Sequence, residues 1–271
     1  MYTTTVQLSG GPATVAYDRT GSGPAVVLIH GTAADRTQWA ALTAAIASRY
    51  TVVALDYSGS GETVDHGGPL TLADLAAEVR AVADHAGLGR FHLVGHSLGA
   101  AVAAQVAATD PARPYSLLMH AGWVRTDTRM DAEFRYWLDL LRADAEHGTT
   151  LFPHYLPLAA LGPRYWDRVT EAENTALIAQ LADAIAPGAA RQTEVDRTVD
   201  LTGLLGRITA PSLVLASAHD RVIPADQQRQ LLKAIPDARY AEIDAGHGAP
   251  AEDPDGFHAK ITAFLDAQVT A

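Results

Sequence analysis

The sequence predicts an α/β protein: a mostly parallel sheet with helices on both faces and one inserted helical segment. Three observations predict it. Short unbroken apolar runs of strand length, such as Ala25–Ile29 and Thr51–Leu55, suit strands buried on both faces. Segments with helical apolar spacing alternate with these runs, as a parallel sheet requires. From residue 123 to about residue 205 the alternation stops, and helical periodicity continues without a convincing strand.

Taken in order, residues 15–18 read as a short strand, closed by the turn Gly21-Ser22-Gly23-Pro24. After the strand Ala25–Ile29, Trp39, Leu42 and Ile46 recur at helical spacing. Thr51–Leu55 leads into Asp56-Tyr57-Ser58-Gly59-Ser60-Gly61, which lacks the third glycine of a dinucleotide loop and reads as a turn. Leu72, Leu75, Val79 and Val82 mark an amphipathic helix. Residues 91–94 form a strand, 98–108 a helix of small residues, and 115–119 another strand. The rhythm resumes with a strand at 212–216, a helix at Ala225–Ala234, a strand at 239–243 and a helix at 254–267. The expected division is a core of residues 1–122 and 206–271, with a helical cap of residues 123–205 between them.

The composition sets limits. Of 271 residues, 48% are hydrophobic and 19% charged, as in an ordinary globular chain. The net charge is −11 and no Lys/Arg run occurs, so nucleic acid is not an expected partner. There is no cysteine, which excludes disulfides, thiolate catalysis and Cys-ligated zinc. Met1-Tyr2-Thr3-Thr4-Thr5 does not begin a secretory signal, and the longest apolar stretch, 98–108, is interrupted by Gln105 and too short to span a bilayer. A cytoplasmic protein with no membrane partner is expected.

The chemistry is carried by Gly95-His96-Ser97-Leu98-Gly99, a G-x-S-x-G between a strand and a helix. A serine on such a strained turn needs neighbours two residues away on either side that are almost free of side chain. A seryl hydroxyl is a poor nucleophile without a base held in one tautomer. Among eleven histidines, His247 stands out, flanked by Gly246 and Gly248 just beyond the last strand. His96 adjoins the serine, but neighbours on a tight turn point apart. His30 ends a strand and is placed to brace a loop. No histidine pair shows the spacing of a metal site such as H-E-x-x-H. Asp220 follows the strand at 212–216 and precedes His247, which gives the chain order Ser, Asp, His. One strand earlier, Ala121-Gly122-Trp123 offers no carboxylate until Asp127. Backbone N–H groups of Leu98 and of Thr32, in His30-Gly31-Thr32, are the expected oxyanion donors.

With these residues the chain resembles the α/β-hydrolase superfamily over nearly its whole length. The resemblance rests on Val27-Leu28-Ile29-His30-Gly31, the turn beginning at Asp56, the Ser97 motif, Asp220-Arg221-Val222-Ile223-Pro224, and Gly246-His247 followed by Glu252-Asp253-Pro254. It implies an eight-stranded sheet, a helical cap over the site and no cofactor. Tyr57-Ser58 departs from the arginine that many members carry after Asp56. A serine nucleophile sets the chain apart from dehalogenase and epoxide-hydrolase relatives, which use aspartate. The expected activity is hydrolysis of a small, largely apolar carboxylic ester or lactone. A thioesterase, a C–C hydrolase, a non-hydrolytic lyase, perhydrolase or cyclase, and a receptor-like binding protein remain open alternatives. Substrate contacts are expected from His30, Gly31, His96, Trp123, Trp137 and Tyr155, because large amphipathic rings line small-molecule pockets.

Overall fold

The computed structural model describes residues 1–269. Its strands are β1 (Tyr2–Leu8), β2 (Gly11–Thr20), β3 (Ala25–Ile29), β4 (Thr51–Leu55), β5 (Phe91–His96), β6 (Pro114–His120), β7 (Ser212–Ser217) and β8 (Ala238–Ile243). They form one open sheet in the order β1-β2-β4-β3-β5-β6-β7-β8. The β1–β2 and β2–β4 pairs are antiparallel, and every later pair is parallel.

The helices are α1 (Ala40–Ile46), α2 (Leu72–His85), α3 (Leu98–Thr109), α4 (Thr128–His147), α5 (Leu151–Ala160), α6 (Pro163–Trp166), α7 (Glu171–Ala184), α8 (Ala189–Thr198), α9 (Ala225–Ala234), α10 (Ala249–Glu252) and α11 (Pro254–Val269). Alternate residues of the parallel strands face opposite sides. Val27, Ile29, Leu93, Leu117 and Val214 pack with Val79, Val82 and Val102 of α2 and α3. Val26, Leu28, Val94, Leu118 and Leu215 pack with Leu42 and Ile46 of α1 and Phe257 and Ile261 of α11. This double burial is why these strands read as unbroken apolar runs.

β1 was not anticipated. Tyr2-Thr3-Thr4-Thr5-Val6 alternates only weakly, since it forms the sheet edge and is largely exposed. α10 was likewise absent from the sequence pattern. Helices α4 to α8 all lie between β6 and β7, and this stretch adds only an isolated bridge between Arg125 and Asp200. Among the described residues, no helix is long and apolar enough to cross a membrane.

Candidate active site

The parallel strands point their carboxyl ends to one edge of the sheet, and the loops there converge on Ser97. This residue sits between β5 and α3 with φ 54° and ψ −121°, a left-handed conformation that a side chain rarely adopts. The strain is held by close packing on both sides. A Cβ on Gly99 would lie 2.2 Å from the Ile29 carbonyl oxygen, and one on Gly95 would lie 2.2 Å from the Gly99 carbonyl oxygen. Ser97 also begins α3, so the positive end of that helix adjoins its hydroxyl.

His247 Nε2 lies 3.0 Å from Ser97 Oγ, and its Nδ1 lies 2.9 Å from Asp220 Oδ2. A carboxylate only accepts, so Nδ1 carries the proton and Nε2 accepts from the serine hydroxyl. Asp220 is itself fixed. Its Oδ1 accepts from the Val222 and Ile223 N–H groups at 2.9 and 2.8 Å, and Gln228 Nε2 approaches Oδ2 at 3.3 Å. All three side chains are nearly closed off: Ser97, Asp220 and His247 are 7%, 8% and 6% exposed. In such a low-dielectric site an oriented hydrogen bond counts for more than in water.

The loop after β3 lies against this group. A Cβ on Gly31 would lie 2.9 Å from His96 Cδ2 and 3.2 Å from Ser97 Cβ, so a side chain there would crowd the serine turn. Among the described residues, neither the Thr32 nor the Leu98 N–H has an intramolecular acceptor. An oxyanion requires two free N–H donors, and these two belong to the residues that follow Gly31 and Ser97, which are themselves in close approach.

The structure gives the two other histidines near Ser97 bracing positions. His30 donates from Nδ1 to the Gly31 carbonyl at 2.8 Å, has Nε2 3.0 Å from Ser60 Oγ, and stacks on Tyr57 at 3.9 Å. His96 turns into a buried chain, with Nδ1 2.8 Å from His120 Nδ1 and His120 Nε2 2.9 Å from Ser217 Oγ. Burial holds His96 and His120 well below the usual imidazole range, so both stay neutral.

The inserted aromatic residues are occupied with one another. Trp123 is fully buried and donates from Nε1 to Thr126 Oγ1 at 2.9 Å. Its ring meets Phe134, Phe134 meets Trp137, and Trp137 meets Phe152. The Trp137 Nε1 and the Tyr155 hydroxyl both donate to Glu133 Oε1.

Several residues of this region were given no role from the sequence, Glu252 among them although its motif carries part of the resemblance. Glu252 Oε2 accepts from the Gly162 and Gly246 N–H groups at 2.8 and 2.9 Å, tying the His247 loop to the inserted helices. Gln192 and Asp196 on α8 bond the loop after β3. Their only sequence signal is two polar residues one turn apart on the stripe that carries Ala189, Val195 and Val199.

Comparison with known proteins agrees with this architecture. The sequence profile of the alpha/beta hydrolase fold family matches residues 24–254. A pyrrolizixenacetamide deacetylase of Xenorhabdus hominickii is 34% identical over 258 residues, covering 94% of this chain and 96% of its own. A hydrolase of Pseudomonas aeruginosa superposes with a TM-score of 0.83 at 25% identity, over 97% of this chain and 98% of its own. A thermophilic esterase of Thermogutta terrifontis shares the fold with a TM-score of 0.86 at 24% identity, over 99% of both chains. The chain is a hydrolase and belongs to the alpha/beta hydrolase fold family.

Proposed function

We propose that the chain is a serine hydrolase that cleaves a small, largely apolar carboxylic ester or lactone through an acyl-enzyme. The observation that carries this reading is the continuous hydrogen-bonded line from Ser97 Oγ through His247 to Asp220, at 3.0 and 2.9 Å. Ser97 attacks the carbonyl carbon while His247 Nε2 takes its proton. The resulting oxyanion is received by the Thr32 and Leu98 N–H groups. His247 then returns the proton to the leaving oxygen, and the carbonyl re-forms as that bond breaks. A water, deprotonated by His247, releases the acyl group by the same route in reverse. Asp220 keeps His247 in the required tautomer and stabilises the imidazolium as it forms. In this reading residues 1–122 and 206–271 form the core, and residues 123–205 form a cap over the site.

A second reading has one specific support, the 34% identical relative named as a deacetylase of an acetamide. The same groups would then cleave an N-acetyl amide, with His247 protonating the departing nitrogen.

The experiment is labelling of the protein with a fluorophosphonate, followed by turnover of p-nitrophenyl esters of increasing chain length and of a matched N-acetyl arylamide. Labelling at Ser97, with ester turnover abolished in Ser97→Ala, is expected. Ester turnover that survives Ser97→Ala removes the serine from the mechanism. Amide kcat/KM within about tenfold of the matched ester would favour the second reading, because amides are intrinsically far less reactive.

A further inference from the structure

The inserted helix α8 reaches the loop after β3 through contacts that the chemistry above does not use. Thr32, whose N–H is assigned to the oxyanion, donates its side-chain hydroxyl to Asp196 Oδ2 at 2.6 Å. The next residue, Ala33, has a left-handed φ of 61°, and its N–H donates to Gln192 Oε1 at 3.0 Å. Gln192 Nε2 donates in turn to the Ser58 carbonyl at 3.1 Å. Gln192 and Asp196 stand one turn apart on α8, so their side chains leave the same face. They are 0% and 1% exposed. The backbone carbonyl of Asp196 is held by the Thr126 hydroxyl, which itself accepts from Trp123 Nε1.

A buried carboxyl is a costly way to fill space, and an apolar side chain would pack there at less cost. Asp196 is not saturated with partners either, because its Oδ1 has none among the described residues. Its single side-chain bond goes to the residue whose backbone orientation matters most. An oxyanion donor works only if it is aimed before the charge develops. The Thr32–Ala33 turn contains a strained residue, which persists only if the surroundings over-determine it.

We propose that Asp196 and Gln192 are positioning residues that hold the Thr32–Ala33 turn with the Thr32 N–H aimed at the oxyanion, and that Asp196 does so as an uncharged acid. The proposal rests on the acyl-transfer reading. A carboxylate bonded to the Thr32 side chain would place negative charge beside a developing negative charge and oppose it. Burial pushes the Asp196 carboxyl up to about 8, which agrees with the uncharged form at neutral pH.

The titratable groups around Asp196 are few. Tyr57 is pushed well above the usual phenol range by burial, and His30 is held low by burial. Glu78, bonded to Ser58 beside Tyr57, is pushed up by burial to about 8. On the outward side of α8 and on α4, Arg197 pairs with Asp131 and Glu194, and Arg142 with Glu194. Arg191 pairs with Asp65. Burial raises both Asp196 and Glu78, so substitution of Asp196 isolates its share of an alkaline dependence from that of Glu78.

The test compares three variants. Asp196→Asn keeps an acceptor for the Thr32 hydroxyl and cannot ionise. It should hold kcat at pH 7 within about threefold of wild type and reduce the decline of kcat above about pH 8. Asp196→Ala and Gln192→Ala should lower kcat about 10- to 100-fold, less than removal of an oxyanion donor itself, with KM changed less than about threefold. An arylboronic acid, which presents a tetrahedral oxyanion to the site, should bind Asp196→Ala more weakly by a similar factor. A purely structural role would lower thermal stability and leave the pH profile and the inhibitor-to-substrate ratio unchanged. Wild-type kcat and boronate affinity in Asp196→Ala overturn the proposal, and an undiminished alkaline decline in Asp196→Asn overturns its uncharged-acid form. Turnover in Ser97→Ala would instead strike the acyl-transfer reading, so the two failures are told apart.

Discussion

The turn around Ser97 and helix α7 are built on opposite terms. Every residue from 91 to 104 is buried, and the one strained residue, Ser97, is locked by glycines that no other residue could replace without a clash. Helix α7 has no buried residue at all. It is secured by a capping box between Thr170 and Glu173 and by contact with α5, and its apolar residues Leu177, Ile178 and Leu181 are only partly buried. Atomic geometry is fixed where the chemistry is generic, and the inserted segment keeps freedom on its outer side. Between them lies α8, which belongs to the insertion yet carries fully buried polar residues joined to the core. The division between a rigid core and an adaptable insertion therefore runs through the inserted segment and does not follow its ends.

The largest expected effect tests the rigid side. Asp220→Asn keeps the shape of the site but favours the wrong His247 tautomer, so kcat should fall on the order of 10⁴-fold with little change in melting temperature. Steady-state kinetics beside a thermal melt checks this. A loss below about tenfold would mean that the Asp220–His247 bond is structural only.

Trp123→Ala tests whether the insertion has a core of its own. Trp123 is fully buried against Phe134, so truncation should cost about 3–5 kcal/mol of stability, measured by denaturant unfolding. If stability holds while the preference between a short acetate and a bulky aryl ester moves about tenfold, Trp123 is a pocket wall and not a packing residue.

How much of this was legible in the sequence follows from what each feature needs. Strands buried on both faces show as apolar runs, and the serine turn shows through its glycines, because each is enforced by neighbours a few residues away. Asp220 and His247 were legible through their positions after β7 and β8. β1 was hidden because an edge strand has only one face to bury, and its Thr-rich run satisfies little of that face. Gln192 and Asp196 were hidden for a different reason. Polar residues one turn apart on a helix ordinarily face water, and only the packed structure shows Thr32 and Ala33 in the place of solvent. The aromatic residues of the insertion were visible, but whether a ring meets a ligand or another ring depends on helix packing, which spacing does not specify.

The pH dependence of stability probes the same boundary with a smaller effect. Burial raises the Glu78 and Asp196 carboxyls to about 8, so the folded chain keeps protons that the unfolded chain has released by neutral pH. Their contribution therefore declines as pH rises from the unfolded carboxylate range towards about 8 and then levels off. His30, His92, His96 and His120 are all held low by burial, so the unfolded chain binds protons there that the folded one does not. That costs stability as pH falls below about 6.5. Stability should peak near neutral pH and drop on the order of a few kcal/mol by about pH 8.5. Denaturant unfolding across this range, repeated on Asp196→Asn, should show a visibly shallower alkaline drop in the variant. Equal slopes would mean that Asp196 is already ionised in the folded chain.

The smallest effect belongs to α7. Leu177 is half-buried on a helix that buries none of its residues fully, so Leu177→Ala should cost less than about 1 kcal/mol, against several for Trp123→Ala. The physical reason extends to dynamics. Local opening costs roughly what the opened segment's own contacts contribute, and α7 gives up little apolar burial when it leaves α5. Its amides should therefore exchange with deuterium well before those of α3, where ten of twelve residues are buried, and α8 should follow α3 because Gln192 and Asp196 hold it to the loop after β3. Exchange resolved by peptide mass spectrometry distinguishes the three helices directly. If α7 is protected as well as α3, the outer side of the insertion is as rigid as the serine turn. If α8 exchanges together with α7, the Thr32–Ala33 turn is not held from that side, and the boundary between rigid and adaptable parts lies at the ends of the insertion after all.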